Sequence, residues 1–305
     1  MFPQLIAGPI VRYHDVDMQL SAREHKKEVF SEGIDRFIYG LAKKVLLSNA
    51  FAQIADGVFG HATGELTFLL AWFGAAAYTL QIYYDFSGYS DMAIGLGKMF
   101  GFQFLENFNY PYISRSVTEF WRRWHMSLST WFRDYVYIPL GGNRCSAGRH
   151  ICNLLVVWGL TGFWHGANFT FLAWGLYFGA LLIVEKYALA RVLDRLPRIL
   201  THTYALFFIV IGWVLFRSDT LSYAMDYLRV MFTPSTAVDP LAVEYFMRFW
   251  PYLLFGVVLC APLYRRIAKS KAYEVLSYPL LAVLLVLCVM SLLTNSYNPF
   301  IYFRF

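Results

Sequence analysis

The sequence predicts an all-α, polytopic integral membrane protein, and three observations carry that prediction. Apolar residues make up 58% of the chain and charged residues only 15%. A soluble globule carries about 25% charged residues, so this chain has too few to cover itself for water. Near-continuous apolar windows recur at 66–84, 166–184, 203–216, 250–264 and 275–293, and a helix of roughly 20 such residues crosses a hydrocarbon core. Lysines and arginines collect beside those windows, at 186–198 and 265–271, as the loop charges of membrane proteins do. The formal charge of +6 therefore reads as loop bias, and no nucleic-acid partner is expected. Neither a repeat nor a low-complexity tract divides the chain, which reads as one domain over 1–305.

Residues 12–36 are polar and charged, and read as an amphipathic or loop segment at an aqueous face. An apolar helix over 37–60 follows and carries Lys43 and Lys44. Two adjacent ammoniums near mid-bilayer are costly, so this helix should sit shallow or tilted, with both lysines snorkelling to the head groups. The window at 66–84 is the first clean span. Behind it, "DFSGYSDMAIGLGKMFGF" brings Asp85, Asp91 and several glycines. Small residues let helices approach closely in a bilayer, so a short, tightly packed helix is expected there.

Ser116 and Glu119 have capping-box spacing, which predicts a helix start. At about 100° per residue, Trp121, Trp124, His125, Leu128 and Phe132 share one face, while Arg122, Ser129 and Arg133 share another, with Arg123 beyond them. So many charges exclude a lipid-facing span, and the segment should lie in the interface or be wrapped by other helices. "PLGGNR" ends it, and a short apolar helix over 151–161 runs into "GFWHGANF". The stretch "DTLSYAMDYLRVMF" is amphipathic. The basic loops at 186–198 and 265–271 belong on the cytoplasmic side with two spans between them, which turns the His165 end of its span away from the cytoplasm or sets it deep within the protein.

Soluble-enzyme motifs are missing: there is no G-x-S-x-G, Walker A, H-E-x-x-H or intact G-x-G-x-x-G. Cys145, Cys152, Cys260 and Cys288 form no C-x-x-C pair and have no histidine at zinc spacing, so they read as packing thiols with no metal site. His14, His25, His61, His150 and His202 lie in polar stretches or at span edges and read as surface or interfacial residues. His125 and His165 differ, because both sit among large aromatics and glycine. Two readings stand: an imidazole packed between helices, or a neutral imidazole serving as general base. Asp85, Asp91, Glu106, Glu119 and Asp134 are the carboxylates available to orient such a ring. Arg122, Arg123 and Arg133 are candidates for coenzyme phosphates, with lipid phosphates as the other reading.

The segments "QLIAGPIVR", "YYDFSGYSDMAIGLGKMFGF", "NYPYISRSVTEFWRRWHMSLSTWFRDYVYIPLGGNR", "GFWHGANFTFLAWG" and the terminal "SYNPFIYFRF" together resemble the membrane-bound O-acyltransferase (MBOAT) family. The branch they look like is the bacterial alginate O-acetyltransferase subunit. The resemblance implies a helical bundle around a central tunnel, with His165 as the essential histidine and His125 as the second. It implies acetyl-CoA as acyl donor, with no permanently bound cofactor, and acetyl transfer across the inner membrane for O-acetylation of an exported polysaccharide. It also implies an extracytoplasmic SGNH-type partner beside membrane lipid. Oxyanion stabilisation would fall to His125 or a backbone amide. Members of this branch begin with several spans ahead of "FPQLIAGPIVR", so the N-terminal spans are expected to be missing, and an upstream extension is expected to restore stability and activity. Two other readings stand beside an enzyme: a transporter or flippase with a His/Asp proton relay, and an inactive, truncated scaffold of a secretion complex.

Overall fold

The computed structural model describes residues 8–23, 25–234, 239–263 and 270–294. Among them there are only helices and connections, with no strand. The helices are α1 (Tyr13–Ser21), α2 (Lys27–Ala42), α3 (Asn49–Phe59), α4 (Phe68–Met99), α5 (Val117–Trp121), α6 (Met126–Phe132), α7 (Ala147–His165), α8 (Phe169–Val184), α9 (Ala190–Leu193), α10 (Arg198–Arg217), α11 (Leu221–Phe232), α12 (Pro240–Leu259) and α13 (Lys271–Thr294). Three π-helical turns, Lys43–Ser48, Arg133–Tyr137 and Glu185–Leu189, join α2 to α3, extend α6 and follow α8. Segments 1–7 and 295–305 and the basic residues Arg265, Arg266 and Lys269 lie outside the described residues.

The span expected at 66–84 and the short helix expected behind it are one helix, α4, of 32 residues and about 48 Å. Its second half stays helical because glycine lets a neighbour lie against it without breaking the backbone ladder. A Cβ on Gly40 would meet the Gly88 carbonyl oxygen at 2.6 Å, and one on Gly33 would meet that of Gly95 at 2.7 Å. Helices α2 and α4 therefore touch backbone to backbone over two turns, as small residues permit in a bilayer. Helices α3, α10, α11 and α12 pack on α4 as well, which makes it the central post of the bundle.

That contact changes the fate of the two lysines. Neither reaches for head groups. Lys43 Nζ lies 2.5 Å from Asp91 Oδ2, and Lys44, only 7% exposed, pairs with Asp85, which is 1% exposed. Arg36 bridges Asp91 Oδ1 and Glu106 Oε2, each at 2.6 Å. The α2–α4 seam is thus a ladder of opposite charges closed by protein, because a buried carboxylate without a cation is far costlier than a paired one.

The helix predicted from Ser116 does start there: Ser116 Oγ accepts from the Glu119 amide at 2.9 Å. It breaks after one turn and restarts as α6. His125 sits at the break with φ +44°, in the left-handed region. α7 and α8 form a hairpin whose backbones also touch, since a Cβ on Gly175 would lie 2.3 Å from the Trp158 carbonyl oxygen. Gly166, with φ +151°, makes the turn that ends α7 at His165. Helices α10, α12 and α13 are each long and apolar enough to cross a membrane. α12 and α13 bury little of themselves in protein and leave residues such as Phe255 and Val286 exposed.

If the Lys44–Asp85 pair is closed inside the protein, Lys44→Met alone should cost about 3–5 kcal/mol by stranding a buried carboxylate. Lys44→Met combined with Asp85→Leu should recover most of that loss. Thermal unfolding of the detergent-solubilised variants measures both, and a harmless single substitution would restore the snorkelling expectation.

Candidate active site

One cavity of about 250 Å³ lies between α4, α5, α6, α7, α8 and α10, and its wall includes His125 and His165. The sequence places them 40 residues apart on different elements; the fold brings them to one space. All five residues of the predicted aromatic face, Trp121, Trp124, His125, Leu128 and Phe132, line it despite the break in their helix. The second face lines it too, through Arg122, Ser129 and Arg133, whose exposed positions mark an edge of the cavity that opens outward. Arg123 does not. Its guanidinium turns to Glu119, at 2.9 Å, and to the Asn109 carbonyl.

His125 is 3% exposed and is held in its strained backbone conformation by Asn107. The Asn107 carbonyl oxygen accepts from the Met126 amide at 2.9 Å. The Asn107 side-chain Oδ1 accepts from Ser127 Oγ at 2.8 Å and from the Ser127 amide at 3.3 Å. A backbone N–H can only donate, so the oxygen of the Asn107 amide is fixed on this side. His125 Nδ1, 3.1 Å from the same oxygen, must therefore carry the hydrogen. In the neutral ring Nε2 then bears a lone pair, and that atom is buried with no hydrogen-bond partner among the described residues. Phe86 stands edge-on to the ring at 5.0 Å. A left-handed, non-glycine residue costs about 1–3 kcal/mol and persists only where its surroundings over-determine it, as they do here.

This geometry corrects two expectations. The group that orients His125 is an amide, not a carboxylate. Asp85, Asp91, Glu106, Glu119 and Asp134 are instead paired with Lys44, Lys43 and Arg36, Arg36, Arg123, and Arg12 and Arg133 respectively. Neutral His125 also offers the cavity an acceptor, so it does not supply a hydrogen bond to an oxyanion.

His165, the last residue of α7, is half-buried and boxed by rings. Trp174 and Phe216 meet it edge-on at 5.0 and 5.1 Å, and Trp164 at 4.9 Å. Trp164 also stands 6.2 Å from the ring of His125, so it neighbours both imidazoles. Trp158 and Trp213 complete the wall with Trp121, Trp124 and Trp174.

Residues 1–217 match the membrane-bound O-acyltransferase family, MBOAT. The chain belongs to that family. A probable alginate O-acetylase AlgI of Azotobacter vinelandii is 49% identical over 233 residues, which are 76% of this chain and 46% of the relative. Another, from Pseudomonas putida, is 40% identical over 338 aligned positions covering 100% of this chain and 67% of its own. A peptidoglycan O-acetyltransferase of Helicobacter pylori is 41% identical over 236 residues, 75% of this chain and 45% of its own. The chain spans about half the length of most curated relatives it matches. The MBOAT match covers every residue of the cavity wall, from Ile82 to Phe216.

Sequence reasoning missed three supports of this MBOAT site. Asn107 lies in "ENFNY" with nothing local to mark it. Glu185 is buried and accepts from the Val117 and Thr118 amides at 2.6 and 2.8 Å, so it caps α5 from 67 residues away. Carboxylates favour helix N-termini, but no local spacing reveals a partner so distant. His150, expected at a surface, is buried. Lys186 Nζ donates to its Nε2 at 3.1 Å, so the hydrogen sits on Nδ1, toward Tyr187 Oη at 2.9 Å. Tyr137, 2.8 Å from the same Nε2, lines the cavity. The remaining histidines stand as expected, His14 and His25 exposed, His61 and His202 half-buried.

Nitrogen-resolved histidine NMR should find His125 as the Nδ1–H tautomer. Asn107→Leu should abolish that signature and cost about 1–3 kcal/mol in stability, since it strands the Ser127 and His125 donors. Retention of the tautomer in the variant would deny Asn107 this role.

Proposed function

We propose that this chain transfers an acetyl group from cytoplasmic acetyl-CoA, at a multi-pass site in the bacterial inner membrane, for O-acetylation of an exported polysaccharide such as alginate. The observation that carries the reading is the pairing of two histidines on one aromatic-walled cavity with arginines at its open edge. Membership of MBOAT and the acyltransferase names of its relatives support it.

His165 acts as general base on the acceptor hydroxyl. His125 Nε2, its lone pair fixed by Asn107, is the second acceptor and orients that hydroxyl. Arg122 and Arg133 suit the phosphates of the donor, whereas Arg123 serves α5 through Glu119. Enclosure by tryptophans keeps water from the thioester. An extracytoplasmic SGNH-type partner receives the acetyl group and passes it to polymer, in keeping with the missing esterase motif. A transporter's His/Asp relay has less support, because the candidate carboxylates are ion-paired with lysines and arginines.

The test is the O-acetyl ester content of exported polysaccharide from cells whose only copy carries His165→Ala. Acetylation should be lost with protein level and polymer yield unchanged, and membranes of the variant should release no coenzyme A from acetyl-CoA. Normal ester content would sink the reading and leave His165 a packing residue.

A further inference from the structure

Acyl transfer through a tetrahedral intermediate needs hydrogen-bond donors where the carbonyl oxygen becomes an oxyanion. His125 offers an acceptor, and several of the nearby helix-end amides are already spent. Val117 and Thr118 donate to Glu185, Glu119 to Ser116, Met126 and Ser127 to Asn107, Gly166 to Phe163, and Thr170 to Asn168. Buried indole donors remain on the wall. The indole Nε1 atoms of Trp121, Trp174 and Trp213 are buried and find no hydrogen-bond partner among the described residues, and of these Trp174 and its neighbour Trp121 are the pair beside His165. Trp174 is 1% exposed. It meets His165 edge-on at 5.0 Å and Trp121 edge-on at 5.6 Å. Buried polar groups in native proteins are nearly always satisfied, and an indole N–H can only donate, so what satisfies these two is an acceptor atom brought by a ligand.

We propose that the indole N–H groups of Trp174 and Trp121 bind the carbonyl oxygen of the acyl thioester and stabilise the oxyanion formed from it. The proposal rests on the acyl-transfer reading above. The imidazole of His165 takes the proton of the acceptor hydroxyl, whose oxygen forms a C–O bond to the carbonyl carbon. The carbonyl π pair moves onto oxygen, where the indoles donate. As C=O re-forms, the C–S bond breaks, and the thiolate takes the proton from the imidazolium. The products are an acetyl ester and free coenzyme A.

Phenylalanine keeps the ring and removes the N–H, so Trp174→Phe and Trp121→Phe isolate the donor. Purified protein, variants included, would be titrated with two unreactive analogues: a ketone with CH2 in place of the thioester sulfur, and S-ethyl coenzyme A, which has no carbonyl. Trp174→Phe should weaken the ketone roughly three- to tenfold and leave the thioether unchanged. In turnover, kcat should fall about 10²–10³-fold with little change in KM and an unchanged melting temperature. An N–H that merely rests on a neighbouring ring would leave the ketone-to-thioether ratio and kcat as in the wild type in both variants, and that result overturns the proposal. Should Trp174→Phe fail to fold, Trp121→Phe decides by the same ratio. Wild-type protein that binds neither analogue would instead overturn the acetyl-CoA reading, and this proposal with it.

Discussion

The structure depends on the cost of leaving a charge or polar group unpaired where water is scarce. Asp85 and Asp91 sit on the central helix, in the part most enclosed by its neighbours. Their charges are tolerable only because Lys44, Lys43 and Arg36 meet them across a seam narrow enough for short contacts. The seam is narrow because glycines face glycines. Composition, close packing and ion pairing are therefore one device: remove the small residues and the lysines no longer reach, remove the lysines and α4 carries stranded carboxylates. The same rule governs Glu185, a buried carboxylate kept by the free amides of α5.

The cavity follows the rule in reverse. Around it the protein satisfies its carboxylates and many of its amides with its own groups, yet leaves His125 Nε2 and the indole N–H groups of Trp121, Trp174 and Trp213 without hydrogen-bond partners among the described residues. A wall of rings supplies shape and dryness, and the few unspent polar atoms supply direction. The strained backbone at His125 belongs to that arrangement, since a regular helix through 121–126 would not release Met126 and Ser127 to Asn107. Strain is thereby exchanged for a fixed tautomer.

Fold class, most helix positions, the aromatic face of 121–132 and both histidines were legible in the sequence. Apolar windows and helical periodicity are local properties, and "FWHG" and "RRWHMSLS" are distinctive strings. The limits were also physical. Periodicity placed Trp121 and Phe132 on one face correctly, but it could not see the break between them, because the break is fixed by Asn107. Burying the charges of Lys43 and Lys44 is costly, yet snorkelling and pairing answer that cost equally well in one dimension. His150 looked like a span-edge residue because Tyr137, Lys186 and Tyr187 reach it from elsewhere in the chain.

By itself the sequence determined that this is a helical membrane protein of the MBOAT family with two unusual histidines, since hydropathy and motif content do not depend on how the chain closes. Only the tertiary structure decided which carboxylate meets which cation, which nitrogen of His125 carries the hydrogen, and which arginines line the cavity. Those are questions of partners far apart in the chain, and a hydrogen bond or ion pair exists only where packing brings both groups within about 3 Å.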